Sequence, residues 1–362
     1  MDPRHMLKKN RALPILWGLL LPVLLSSFSC ILHRGDAPPA EKATVEARER
    51  VWPCPPAPAR IRYLHSISFP NDLRSSHTLW NRMLALLAGK NTVRMIRPYG
   101  LDIDTEGNML ITDPGAHRVY LYGTSDGSCL IFPKTGKKRV LITPMDAAFD
   151  GGGEILVSDS AAGAVYRFDR KGHLKETIGT FKRPTGLDVN HESKRLYVVD
   201  TLAHRIRVYG LNGKHLFDFG KRGSAHGAFN YPTHIALDSA GRVYVTDAMN
   251  FRIQAFTPDG KFLYAIGNNG DGPGALSKPK GVGLDSDGNL YVADAIFNNV
   301  QILNRKGEPL LYFGKYGTKP GEFSMPADLV IDSKDRIYVA DSYNRRIQVF
   351  QYIKASGRRV LP

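Results

Sequence analysis

The chain has 362 residues, 43% of them hydrophobic, which is the content of a globular protein rather than a disordered one. The formal net charge of +15 favours anionic neighbours such as lipid headgroups, acidic glycans or acidic protein faces, and the alternative is that these charges are solvated at turns without a partner. The cysteines, Cys30, Cys54 and Cys129, form no Cys-x-x-Cys-His motif and no pair with metal-ligand spacing, which excludes a c-type cytochrome.

The first residues of the chain predict an export signal. Lys8, Lys9 and Arg11 form a positive start, and an apolar run follows over 12–25. This run is too short for a membrane-spanning helix, which needs about 20 residues. We therefore predict a signal peptide over 1–29, with a disordered or anchoring N-terminus as the alternative. Export argues against nucleic acid as a partner.

The segment that ends at Cys30 reads Ser-Ser-Phe-Ser-Cys and resembles the lipobox of bacterial lipoproteins. The resemblance implies that Cys30 is lipidated and holds the protein on the periplasmic side of the envelope. Ile31 after the cysteine favours the outer membrane. Ser27 stands where the lipobox prefers Leu, so an exported cysteine without lipid is the alternative.

Residues 30–58 are rich in proline and predict a stiff, extended tether. An oxidising compartment would allow a disulfide between Cys54 and Cys129 that pins this tether to the folded domain, although spacing alone does not place the two thiols together.

A helical pattern interrupts the chain over 76–89. Apolar residues recur there at helical spacing, at Leu79, Trp80, Met83, Leu84, Leu86 and Leu87. Ser76 suits the N-cap and Gly89 the C-terminal stop. We predict one amphipathic helix packed on the domain, with membrane insertion or docking on a partner as the alternative.

From residue 97 onward the chain repeats a unit of four short apolar runs. An Asp closes the second run of each unit, at Asp113, Asp159, Asp200, Asp247, Asp294 and Asp341. A Pro opens each unit, at Pro98, Pro144, Pro184, Pro232, Pro279 and Pro326. Four strands per repeat of this length predict an all-β fold, a six-bladed β-propeller with four-stranded antiparallel blades.

These units resemble the NHL repeat over about residues 97–353. The match includes the turn 285–289 (Asp-Ser-Asp-Gly-Asn), the strand end Tyr-Val-Ala-Asp at 291–294 and Arg-Ile-Gln-Val-Phe at 346–350. The second unit departs from the pattern at Ala164. The resemblance implies a propeller but leaves function open, because NHL propellers include scaffolds, RNA binders and a lyase.

The sixth unit lacks a fourth strand, since only a basic tail over 354–362 follows it. The segment 60–68 has the pattern of an outer strand. We therefore predict that this N-terminal strand completes the last blade and that the propeller spans 59–353.

Three side chains at one end of the central channel are candidate metal ligands. The second residue after the opening Pro is Asp146, His234 or Asp328 on alternate blades and glycine on the others. Such a set could bind a divalent metal, and the alternative is that the side chains cap backbone amides. The amidating lyase among NHL propellers implies zinc held by several histidines, but only His234 is evident here. We expect no cofactor, with a divalent metal as the open alternative.

Long glycine-rich loops enter the fourth, fifth and sixth units. Each ends in an apolar residue, Phe229, Leu276 or Phe323, which we predict to plug between blades. The exposed part of these loops carries Arg222, Lys315, Tyr316 and Lys319, a basic rim with one aromatic. By contrast, the recurrent Asp and Arg, as in Asp200 with Arg205, are predicted to be structural pairs.

These features predict a monomeric, non-enzymatic envelope lipoprotein whose loops bind a protein or an acidic polymer. The alternative is a metal-dependent lyase or hydrolase with its site at the channel mouth.

Overall fold

The computed structural model describes residues 50–68, 94–123, 128–133 and 140–354. The predicted signal, Cys30, the helix predicted over 76–89 and the tail from 355 onward lie outside these residues. Helical structure in the described residues consists of single 3-10 turns at Thr201–Ala203, Ala248–Asn250 and Ser342–Asn344. No helix within the described ranges has the length and apolar character needed to cross a membrane.

The described strands form six antiparallel sheets, each one blade of a propeller. Blade 1 contains β3 (Leu101–Ile103), β4 (Met109–Asp113), β5 (Arg118–Tyr122) and β6 (Cys129–Phe132). Blade 2 contains β7 (Pro144–Phe149), β8 (Glu154–Asp159), β9 (Ala164–Asp169) and β10 (Leu174–Ile178). Blade 3 contains β11 (Pro184–Asn190), β12 (Arg195–Asp200), β13 (Arg205–Gly210) and β14 (His215–Phe219). Blades 4 and 5 contain β15 (Pro232–Leu237), β16 (Val243–Asp247), β17 (Arg252–Phe256) and β18 (Phe262–Ile266); and β19 (Pro279–Leu284), β20 (Leu290–Asp294), β21 (Asn299–Leu303) and β22 (Pro309–Phe313). Blade 6 contains β23 (Pro326–Ile331), β24 (Arg336–Asp341) and β25 (Arg346–Tyr352), together with β1 (Val51–Trp52) and β2 (Ile61–Ile67) from the N-terminal part of the chain.

The six inner strands close a ring around a central channel. β3 contacts β7, and contacts continue through β11, β15, β19 and β23 back to β3. Second and third strands are mostly buried because the two neighbouring blades cover the two faces of each blade, whereas outer strands such as β10 and β22 are largely exposed. The sequence prediction of a six-bladed propeller is confirmed.

Blade 6 is completed by the N-terminal strand, as predicted. β2 lies beside β25, with Ile61 paired to Tyr352 and Ile67 to Ile347. β1 adds a fifth strand outside β2, which the sequence analysis assigned to the tether. The ring of Trp52 packs between blades, with its centroid 5.8 Å from that of Phe313. The end of the proline-rich segment is therefore part of the propeller, because Trp52 finds apolar partners there.

The propeller has two faces with different connections. Successive strands of a blade alternate in direction, so the loops between blades and the turns between second and third strands lie at the same end. We call this end the loop face; it comprises 94–98, 114–117, 140–143, 160–163, 179–183, 201–204, 220–231, 248–251, 267–278, 295–298, 314–325 and 342–345. The opposite end is the turn face.

The recurrent Asp holds the loop face together. Asp113 accepts hydrogen bonds from the backbone N–H groups of Ile96 (2.7 Å), Arg97 (3.0 Å) and Ala116 (2.9 Å). Equivalent bonds join loop and strand in the other five blades. Six buried carboxylates thus satisfy backbone donors that the loops would otherwise leave unpaired, which is a structural role.

The predicted pairing of this Asp with a following Arg is only partly correct. It is present in blades 4 and 6, as Asp247–Arg252 at 2.8 Å and Asp341–Arg346 at 2.7 Å. In blade 3 the carboxylate of Asp200 accepts from backbone N–H groups, and Arg205 turns to the outer strand, where it pairs with Asp218 at 3.2 Å.

Candidate functional site: the central channel and the loop face

The inner strands surround a cavity of about 440 Å³. Every blade contributes to its lining, for example through Leu101, Asp146, Leu187, Ile235, Val282 and Asp328. Turn residues such as Asp104, Glu192 and Asp238 also line the cavity, so it extends toward the turn face.

Channel carboxylates link one blade to the next. Asp102 of blade 1 accepts a hydrogen bond from the N–H of Phe149 in blade 2 (2.8 Å). Three further carboxylates do the same, Asp146 with Leu187 (3.0 Å), Asp188 with Leu237 (2.8 Å) and Asp328 with Leu101 (2.9 Å). These side chains are therefore used for blade-to-blade attachment.

The channel environment favours the protonated form of these acids. Desolvation raises the pKa of Asp102 to about 6, of Asp188 to about 7 and of Asp328 to about 8, although the donating amides oppose the shift. The pKa of Asp146 is raised by burial and by the charge of Asp328. Stability should consequently depend on pH near neutrality.

The alternation of Asp146, His234 and Asp328 with glycine has a steric cause. A Cβ on Gly100 would lie 2.4 Å from Asp146 Oδ1, and one on Gly281 would lie 2.4 Å from Asp328 Oδ1. A large residue on one blade requires glycine on the blade before it, because the inner strands approach closely. Alternation therefore reflects packing rather than a ligand set.

The predicted metal site is not assembled. The described residues contain no group of three or more His, Cys, Asp or Glu side chains arranged to hold a metal ion. Asp146 and Asp328 are occupied by backbone N–H groups, which is the capping role that the sequence analysis left open. His234 Nδ1 lies 3.1 Å from Thr233 Oγ1, and its Nε2 is buried without a hydrogen-bond partner among the described residues.

An aromatic pair crosses the channel near the loop face. Tyr99 of blade 1 stacks on His234 of blade 4, the blade opposite to it in the ring, with centroids 5.6 Å apart. Lys280 of blade 5 places Nζ 3.5 Å from the Tyr99 hydroxyl. Burial and the Lys280 charge keep the pKa of His234 well below its ordinary value, so the imidazole is neutral. The channel is therefore closed across its axis at this level.

Side chains of β25 fix the backbone of the loop into blade 6 through hydrogen bonds. Gln348 accepts from Gly321 N–H (2.8 Å) and donates to the Glu322 carbonyl (2.6 Å), while Arg346 donates to the carbonyls of Glu322 (2.8 Å) and Lys319 (2.9 Å). The loop into blade 4 has the same support from Arg252 and Gln254. The backbone of both loops is thus fixed before binding, so a partner need not order the loops themselves.

The predicted rim and plugs lie where the sequence analysis placed them. Phe229, Leu276 and Phe323 are fully buried, which confirms them as structural. Arg222, Lys315, Tyr316 and Lys319 are all exposed on the loop face, Tyr316 to 75%. Lys315 Nζ lies 3.6 Å from Glu322, an exposed pair that contributes little stability.

A ring of exposed apolar residues on the same face was not predicted from the sequence. Each blade contributes one large side chain, Ile96, Ile142, Leu202, Met249, Ile296 and Tyr343 in blades 1 to 6, and we call these the apolar ring. Tyr231 and Tyr316 are exposed close by in the loops. In blades 3 to 6 the ring residue lies two positions after the recurrent Asp, a regularity that could have revealed it.

Positive charge is concentrated on this face. Its exposed cations are Arg94, Arg97, Lys182, Arg183, Lys221, Arg222, Lys278, Lys315, Lys319 and Arg345. Asp271 is the one exposed carboxylate among the described residues of the loop face, since the recurrent Asp are buried and Glu322 is mostly covered. The turn face instead mixes both signs, with pairs such as Arg195–Asp259.

The predicted disulfide is not formed. Cys54 and Cys129 are free thiols in different sheets, Cys54 just beyond β1 of blade 6 and Cys129 on β6 of blade 1. Burial raises the pKa of the Cys129 thiol to about 11, so little reactive thiolate is present at neutral pH.

Comparison with protein families gives two matches. An SMP-30/gluconolactonase/LRE-like region matches residues 134–268, and an NHL repeat matches residues 323–350. No curated protein sequence matches the chain.

Solved structures share the fold at low sequence identity. A catalytically inactive virginiamycin B lyase from Staphylococcus aureus, determined with quinupristin, is 19% identical with a TM-score of 0.52, over 71% of this chain and 95% of that one. An auxiliary nutrient binding protein from Bacteroides thetaiotaomicron is 13% identical with a TM-score of 0.56, over 72% and 70%. A nidogen/laminin complex chain is 15% identical with a TM-score of 0.54, over 78% and 98%. At these identities the likeness concerns the fold alone.

Proposed function

Because the chain is a six-bladed β-propeller of the NHL type, we propose that it is a non-enzymatic binding scaffold whose loop face holds a negatively charged partner. The nutrient-binding and nidogen/laminin propellers support a binding role, since their names describe binding and complex formation. The lyase shows that the same fold also supports catalysis, so a binding role must follow from the residues of the loop face.

The separation of charge carries this proposal. On the loop face every recurrent carboxylate is buried in backbone hydrogen bonds, while Arg222, Lys315 and Lys319 extend into solvent. A surface of one sign attracts partners of the opposite sign and speeds their association. The rigid support of the loops into blades 4 and 6 lowers the entropy lost on binding.

The bacterial envelope is the proposed location. The signal over 1–29 and lipidated Cys30 would export the protein and anchor it on the periplasmic side, in the outer membrane. There it would act as a monomer that captures an acidic polymer or the acidic face of an envelope protein.

Charge reversal on the loop face tests the proposal. Arg222→Glu with Lys315→Glu should weaken binding to polyglutamate, used as a soluble acidic probe, by roughly tenfold or more at low salt. The matched control is Lys171→Glu with Lys306→Glu, two exposed cations on the turn face. The measurement is titration of each variant with the probe, together with its melting temperature. An equal loss in both variants would show that net charge, and not the loop face, governs binding.

A further inference from the structure

We infer that the loop face docks on an anionic lipid bilayer, with the apolar ring entering the headgroup region and the surrounding cations contacting lipid phosphates. This inference rests on the proposed function and names the partner of the same face.

The apolar ring is the first line of support. Its members occur once per blade, and in blades 3 to 6 they occupy the same position of the 3-10 or hydrogen-bonded turn. The equivalent positions in blades 3 to 6 lie at the same level, so the tips of these four side chains can meet a flat surface together, while Ile96 and Ile142 belong to the loops that precede β3 and β7. Met249 is 53% exposed and Ile296 52%, and large aliphatic side chains exposed on one face mark an interaction surface.

The charges around the ring are the second line of support. The exposed Arg345 lies in the same turn as Tyr343. The exposed Arg183 and Lys278 lie in loops whose backbone is hydrogen-bonded to the turns that carry Leu202 and Ile296. Apolar side chains combined with Lys and Arg are the composition that binds an anionic membrane surface. Asp271 is the one exposed carboxylate of the described loop face that would oppose this contact.

The shape of the face favours a lipid surface over a protein. Strong protein interfaces concentrate their energy in a central pocket that receives an anchor residue. Here the centre of the loop face is closed by the contact between Tyr99 and His234, and the apolar side chains are distributed around it. A distributed ring gives a protein no anchor pocket, whereas a bilayer accepts separate side chains wherever they enter.

The direction of β1 agrees with this orientation. β1 is antiparallel to β2, whose Ile67 end lies beside the start of β25 at the loop face. The guanidinium of Arg50 donates to the Pro320 carbonyl in the loop into blade 6. Residues 50–52 therefore run along the outer edge of blade 6 from the loop-face side toward the turn face.

Vesicle binding tests the inference on Arg48–Pro362, the compact unit that contains all six blades and no Cys30. The probes are vesicles of phosphatidylcholine alone, vesicles of phosphatidylcholine with phosphatidylglycerol, and soluble polyglutamate. Leu202→Ser, Met249→Ser and Ile296→Ser together should weaken binding to the anionic vesicles at least tenfold and leave polyglutamate binding unchanged. The matched control replaces Leu216, Leu263 and Leu310, which are exposed on outer strands, by Ser.

Each outcome decides a separate point. Loss of vesicle binding in the ring variant but not in the control supports docking on lipid. Equal vesicle binding by the ring variant and the parent overturns it, and retained polyglutamate binding would then leave the proposed function standing with a soluble acidic polymer or protein as partner. Binding to phosphatidylcholine alone as strong as to the mixture would also overturn it, because the cations would have no role. If the parent binds neither anionic vesicles nor polyglutamate, the proposed function fails as well.

Discussion

Gly314 faces the side chain of Phe323 so closely that a Cβ on the glycine would lie 2.4 Å from the ring. Gly314 also has a φ of +90°, a backbone conformation that residues with a side chain rarely adopt. The loop into blade 6 thus leaves the outer strand β22 at Gly314 and folds back so that Phe323 packs against this glycine. Gly220 with Phe229 and Gly267 with Leu276 repeat the arrangement in blades 4 and 5.

Substitution of Gly314 should lower the unfolding free energy of the protein. Gly314→Ala combines a strained backbone with a steric clash, so we expect a loss of roughly 2–5 kcal/mol of unfolding free energy. Gly272→Ala is the control, because a Cβ there meets nothing within 4 Å. Denaturant unfolding of the two variants measures the difference. Equal stability would mean that the loop can move away from Gly314 at little cost.

Truncation of the plug should separate stability from binding. Phe323 is fully buried between Phe313 and Phe350, so Phe323→Ala should lower the unfolding free energy by about 3–5 kcal/mol. Tyr316→Ala removes an exposed ring and should leave the melting temperature within about a degree, while polyglutamate or vesicle binding falls. A large drop in the melting temperature of Tyr316→Ala would place that residue in the packing instead.

The channel carboxyls should make stability fall as the pH rises. Asp188 has a folded-state pKa of about 7, above the value of about 3.9 for an unfolded Asp, so the folded state binds its proton more tightly. Its stabilising contribution is complete below pH 4 and is lost as the pH increases through about 7. The melting temperature should therefore fall less between pH 5 and 8 in Asp188→Asn than in the parent. Asp271→Asn, on an exposed loop, should keep the parental slope, and an unchanged slope in Asp188→Asn would contradict the assignment.

Deletion of the N-terminal strand should destabilise the ring far more than removal of the basic tail. Without 60–68 the strand β25 becomes an open edge, and the buried Ile61 and Ile67 are lost. We expect a fall of more than about 10 °C in melting temperature, against little change on deletion of 355–362. Calorimetry of both truncations checks this, and similar melting temperatures would show that blade 6 is stable without β2.

The lipid anchor can be tested apart from the propeller. Cys30→Ala should release the full chain from membranes at high salt, where attraction between exposed charges is screened. At low salt the loop face should retain part of the protein on anionic membranes. Continued association at high salt would remove lipidation at Cys30 as the anchor and direct attention to 76–89.

The repeated sequence determined most of the fold in advance, because strand length, turn chemistry and the recurrent Asp are encoded locally in each unit. The closure by β2 was also predictable, since the sixth unit lacked a strand and 60–68 supplied its pattern. The structural role of Asp146 and Asp328 was not predictable, because both side chains suit a metal ligand until their backbone partners on the next blade are known. The pairing partner of Arg205 and the free state of the Cys129 thiol likewise depend on the tertiary structure and not on the local sequence.

The exposure of the apolar ring escaped prediction for a related reason. Leu202 and Ile296 look in sequence like ordinary strand-end hydrophobics, and only the turn that follows the buried Asp directs them outward. The charge of the loop face also depends on burial: the six recurrent Asp border this face in the sequence, and only the structure shows that they are buried while the neighbouring cations are exposed.

The completion of blade 6 by β1 and β2 has a mechanical consequence. A pull on Arg50 toward the loop face loads the hydrogen bonds between β1 and β2 in shear, because the pull runs along both strands. Bonds loaded in shear must break together, whereas bonds loaded at one end open one after another. Once β1 is released, the same pull acts on the Ile61 end of β2 at the turn face, and the bonds between β2 and β25 would then open one after another. The short strand β1 therefore protects the last blade against tension from the N-terminal side.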